Sequence, residues 1–62
     1  MSKAQKIING LLILNTYPGL EINVSHDEIH AGCLESVSDV DHRDLISFGW
    51  RYDTEGFWSI FT

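Results

Sequence analysis

The sequence predicts an α+β domain in the order α-β-β-α-β-β, an antiparallel sheet with two helices on one face. Three observations carry this. Apolar residues near the start recur at helical spacing, two alternating runs flank His26-Asp27, and the stretch from Ser38 to Trp58 reads as a capped helix, a glycine stop and an aromatic hairpin. With 62 residues there is room for one domain and one small core.

Ala4, Ile7, Ile8, Leu11, Leu12 and Leu14 fall on one side of a helix with 3.6 residues per turn, and Lys6, Asn9 and Gly10 on the other. Ser2 can cap its start. Pro18 disfavours the helical conformation at Tyr17, so the helix is expected to end near Thr16, with Pro18-Gly19 as a turn. Leu20, Ile22 and Val24 alternate with Glu21, Asn23 and Ser25, the period-two pattern of a strand with one buried face. A second run, Glu28 to Ala31, puts Ile29 and Ala31 on one face and Glu28 and His30 on the other, and Gly32 to Val37 reads as a loop.

The second helix begins near Asp39. The Ser38 hydroxyl can accept from an amide of the first turn, while Asp41 can reach back to the cap's own amide. Asp39 and Asp41 suit the positive end of the helix dipole, and Gly49 supplies the left-handed stop. Trp50 to Asp53 and Phe57 to Phe61 then form a hairpin around Thr54, Glu55 and Gly56. If Trp58 and Ile60 point inward, Tyr52, Phe57 and Phe61 line the opposite, open face of the sheet, a candidate contact surface.

Charge narrows the function. Residues 1–20 carry +2, and residues 21–62 carry all nine acids for −7. Direct nucleic-acid binding is not expected from that balance, because the phosphate backbone rewards clustered lysine and arginine. A basic partner is the natural complement. The single cysteine, Cys33, allows no internal disulfide and points to a reducing cytoplasm. The run Ile7 to Leu14 is interrupted by Asn9 and Gly10 and lacks a cleavage site, so no signal peptide is expected, and no segment reaches membrane-spanning length. Two lysines and no aromatic before Tyr17 favour core packing over a membrane-surface role for the first helix.

His26, Asp27 and His30 are the one cluster with the look of a metal site, but hairpin spacing gives two histidines no special geometry, and zinc needs three or four convergent ligands. No metal or cofactor is expected. Nor is an enzyme: there is no glycine-rich phosphate loop, and Cys33 with a histidine elsewhere is not a catalytic arrangement. Glu35, Asp39, Asp41 and Asp44, with Asp27, Glu28, Asp53 and Glu55, can form a negative surface, or can simply cap helices and keep a small protein soluble. Asp44 projects between Val40 and Phe48, toward the side that Leu45 favours, so it either pairs with Arg43 or Arg51 or faces a partner.

The segments LLILNTY, SHDEIHAG, SVSDVDHRDLISFGW and DTEGFWSIFT resemble small bacteriophage and prophage proteins of largely unassigned function. The shared signature is a helix ending Leu-x-x-Tyr, a His-Asp-x-Ile hairpin, a Ser-capped helix ending in Gly-Trp, and a closing Trp with an apolar-Phe-Thr end. In size and acidity the chain is also similar to anti-CRISPR proteins. That resemblance implies a cytoplasmic, acidic phage inhibitor acting as a DNA mimic on a basic host protein or ribonucleoprotein complex. Glu35, Asp39, Asp41 and Asp44 are then the electrostatic candidates, with Tyr52 and Phe57 as apolar anchors. The alternative is a homo-oligomer, such as a homodimer, or an adaptor that binds through the aromatic sheet face.

Overall fold

The computed structural model describes residues 1–53 and 56–62, so Thr54 and Glu55 of the expected hairpin loop lie outside the described residues. The expected order is found: α1 (Lys3–Leu14), β1 (Glu21–Val24), β2 (Glu28–Gly32), α2 (Asp39–Ser47), β3 (Arg51–Tyr52) and β4 (Phe57–Phe61). The four strands form one antiparallel sheet in the order β1-β2-β4-β3, with the two hairpins joined by the pairing of β2 with β4. Both helices contribute to a single core of Leu14, Ala31, Leu45, Trp50, Trp58 and Ile60. Since Ala31 and Trp58 are register partners, as are Ile29 and Ile60, these side chains share the face that the helices cover.

Local capping explains how the second helix delivers Trp50 into that core. Gly49 takes φ 89°, its amide donates to Ile46 O at 3.0 Å, and the Trp50 amide donates to Leu45 O at 3.0 Å. These two bonds are the Schellman arrangement, which brings the residue after the glycine back over the last turn. Trp50 is accordingly only 1% exposed and packs with Leu45. Its indole Nε1–H donates to the Lys6 carbonyl at 3.2 Å, so the one polar atom of the ring is satisfied inside.

That contact corrects the expected orientation of α1. Gly10, placed on the polar side by the periodicity argument, is buried, and a Cβ built on it would lie 2.0 Å from Trp50 Nε1. The covered stripe is therefore Ile7, Gly10, Leu11 and Leu14, spaced i, i+3, i+4 and i+7. Ile8 and Leu12 are rotated out and are 49% and 62% exposed. β1 departs from expectation in the same direction. All four of its residues are exposed, because α1 has turned toward Trp50 and leaves the helix-side face of this edge strand uncovered.

Gly10→Ala is expected to destabilise the fold despite alanine's better helix propensity. Overpacking a rigid buried indole costs about 1–3 kcal/mol against a propensity gain of at most about 1 kcal/mol. Thermal unfolding followed by circular dichroism should show a lower Tm.

Candidate protein-binding cleft

Close approaches at two glycines shape the end of the sheet where β1 begins, β2 ends and β4 begins. At Gly19, φ 73° and the absence of a Cβ let the Leu34 side chain sit 2.3 Å from where a Cβ would be, and the Leu34 amide donates to Pro18 O at 3.2 Å. At Gly32 the Phe57 ring takes the same space, 2.6 Å from a built Cβ, across the Gly32–Phe57 register pair. Between these two contacts lies a cleft of about 350 Å³. Glu21 and Glu35 supply carboxylates to its lining, and Leu34, Tyr52 and Phe57 supply apolar surface. Leu34 is 82% exposed, so the rim is open to a partner.

Three of the six sequence-derived candidates, Glu35, Tyr52 and Phe57, thus meet in one cleft. Glu21, which sequence reasoning left out of the site, joins them because the β1–β2 register sets it opposite Gly32, itself under Phe57. No spacing rule in the sequence carries that information.

Tyr52 is not on the open face of the sheet as expected. Its register partner is Trp58, so it points to the helix side and stacks there in a three-ring cluster. His42 of α2 lies 5.5 Å from Tyr52 and 4.9 Å from Trp58, and Tyr52 and Trp58 are 5.0 Å apart. The open face carries Phe57 and Phe61, but Phe57 is spread over Gly32, and the Arg51 guanidinium sits 4.2 Å from the Phe61 ring centroid. Glu28 accepts from that guanidinium and pairs with His30 Nε2 at 2.6 Å, so the centre of this face is ionic rather than aromatic.

The remaining acids divide by role. Asp39 and Asp44 are exposed on α2, and Asp44 pairs with neither Arg43 nor Arg51; the latter is engaged by Glu28 across the sheet. Asp41 is half-buried and structural. It accepts from the Tyr17 hydroxyl, and that hydroxyl oxygen in turn accepts from the Ser38 amide at 2.8 Å. The cap amide is therefore satisfied by Tyr17 from the other helix's end, correcting the expectation that Asp41 reaches back to it. The Ser38 hydroxyl does accept from the Asp41 amide, at 3.2 Å.

Among the described residues no group of three or more His, Cys, Asp and Glu side chains converges as a metal would require, and no helix is long and apolar enough to cross a membrane. Cys33 lines the cleft with its Sγ–H directed to Leu14 O at 3.5 Å, and burial pushes its thiol pKa up. No protein-family model, curated protein or solved structure matches the chain. Its own surface has to supply the functional argument.

Tyr17→Phe removes a hydroxyl that serves two partners and is expected to cost about 1–2 kcal/mol in chemical denaturation, with faster amide exchange in the first turn of α2. Cys33 should alkylate more slowly at pH 8 than an unstructured cysteine peptide, because only the thiolate reacts and burial disfavours it.

Proposed function

We propose that the chain is a non-enzymatic protein-binding module, an acidic inhibitor that covers a basic, nucleic-acid-binding surface of its partner. The observation that carries this reading is the convergence of Glu21 and Glu35 with Leu34, Tyr52 and Phe57 in one open cleft, on a chain of net charge −5. Such a lining suits an arginine or lysine side chain. The aliphatic stem packs on the apolar wall, the ring faces attract the cation, and the carboxylates neutralise it. Exposed Asp39 and Asp44 extend the negative surface beyond the cleft and favour fast, electrostatically steered encounter. Asp41, committed to Tyr17, is withdrawn from the contact set.

The resemblance to phage proteins and to anti-CRISPR proteins in size and acidity gives the proposal its finer form. The partner is then a cytoplasmic host defence complex whose guide- or target-binding groove is basic. A binding surface dominated by carboxylates against guanidinium and ammonium groups is screened by salt, and it competes with the partner's own nucleic acid.

The test is association with a purified CRISPR effector complex, measured by biolayer interferometry across a salt series and in competition with its DNA target. Wild-type protein is expected to bind, to weaken as salt rises, and to be displaced by DNA. Glu21→Lys with Glu35→Lys should weaken binding by at least tenfold while the circular dichroism spectrum is unchanged, since both residues are exposed. Binding that is indifferent to these two reversals would remove the cleft from the interface.

A further inference from the structure

β1 is an unprotected edge. It carries no lysine, proline or bulge, the devices by which edge strands avoid pairing with other chains. The opposite edge, β3, is only two residues long and bears Arg51. The hydrogen-bond parity of β1 follows from one bond. The Ser25 amide donates to Glu28 O at 2.7 Å, so in this antiparallel register Ser25, Asn23 and Glu21 direct their backbone groups toward β2. Ile22 and Val24 therefore direct theirs outward, to an edge that no described strand occupies.

The same two residues present their side chains on the helix side. Ile22 is 49% exposed and Val24 73%, and they continue into the outward flank of α1 at Ile8 and Leu12. A groove of about 240 Å³ between α1 and β1, lined by Ile8, Leu11, Leu12, Leu20 and Ile22 with Asn15, joins the strand to the helix. This patch contains no basic residue, and its one acid, Glu21, points to the other face of the sheet. A charged partner finds nothing to read here, whereas an identical apolar edge does.

We infer that β1 pairs antiparallel with β1 of a second copy of this chain, forming a continuous eight-stranded sheet about a twofold axis at Asn23. The outward-facing backbone groups allow twofold registers centred on Ile22, Asn23 or Val24, and the one at Asn23 alone pairs both outward residues of each strand. Ile22 and Val24′ become hydrogen-bonded pairs on both sides of the axis, giving four inter-chain bonds, and Asn23 meets Asn23′ as the central non-hydrogen-bonded pair. Side chains match as well. Ile22 lies beside Val24′ on the helix side, and Glu21 lies opposite Ser25′ rather than another acid. The two Glu21 residues sit four positions apart along the junction, roughly 14 Å at about 3.4 Å per residue, beyond the Debye length of about 8 Å in physiological salt. An axis normal to the sheet keeps both α1 helices on one side, where their exposed flanks adjoin the junction.

The ten or so residues of strand and helix flank, at the chain's average exposure, offer at most on the order of 650 Å² per copy, which reaches the lower end of the range for specific interfaces. This surface meets the acidic cleft at Glu21 alone and responds to salt in the opposite sense. Two bodies of charge −5 repel, so salt strengthens self-association while it weakens binding to a basic partner.

The experiment is the native mass of the purified chain by light scattering up to about 0.5 mM, a concentration that populates even a weak dimer. Wild type should run at twice its 7.1 kDa, more completely at higher salt. Val24→Lys should run at 7.1 kDa with an unchanged circular dichroism spectrum, because Val24 lies outside the monomer core. An Asn23→Cys variant should form an inter-chain disulfide on mild oxidation, since a non-hydrogen-bonded pair has Cα atoms about 4.5 Å apart, within disulfide range. Wild type, which keeps Cys33, is the control and should not cross-link. A wild-type chain that stays at 7.1 kDa at 0.5 mM would overturn the inference, as would a dimer that survives Val24→Lys without cross-linking through Asn23→Cys.

Discussion

The packing of the Trp50 indole against Gly10 is the contact on which the rest of the arrangement depends. It sets how closely α1 approaches, because only a residue without a Cβ leaves room for the ring. It also sets the rotation of α1 about its own axis, because the indole N–H must find the Lys6 carbonyl or lose a buried hydrogen bond. The ring itself is delivered by the Gly49 turn at the end of α2, so a single residue joins both helices to the sheet. Tyr17 repeats the logic at the other end of the helix pair, tying the chain just after α1 to the start of α2.

A consequence of that rotation is uneven cover. Two helices of twelve and nine residues cannot shield four strands, and α1 is committed toward Trp50 rather than toward β1. The fold therefore buries β4, leaves β1 bare on its helix side, and closes the open face with ions and rings rather than with another layer. For a chain this small such asymmetry has functional weight, since the core alone gives little stability to spare and association is a common remedy. The bare edge presents the helix-side residues of β1 and the acidic cleft its Glu21, which also borders Ser25′ at the junction. Self-pairing and partner binding are thus compatible in one protein, and a twofold dimer would present two clefts.

Element existence was legible because each element carried its own local signal. Ser2 and Ser38 cap the helices as their position before apolar periodic runs implies, and Gly49 stops α2 as a glycine after the last periodic residue should. The candidate site was legible only in part. Glu35, Tyr52 and Phe57 were identified by residue type and do meet. Glu21 was missed, and Asp41 turned out to hold the helix pair together. Charge and aromaticity are visible residue by residue, whereas the partner a side chain finds across the sheet is not.

The sequence by itself determined the order of the elements, the polarity of the chain's charge and the identity of most core residues, because caps, turns and hydrophobic period act over a few neighbouring positions. Tertiary structure alone decided which way α1 faces, which side of the sheet Tyr52 occupies and which acids are free. Each of those depends on register or on a contact between residues far apart in the chain. Gly10 shows the difference most clearly. Helical projection sets it with Lys6 and Asn9 on the solvent side; it is buried only because Trp50, forty residues later, needs the space that a missing side chain leaves.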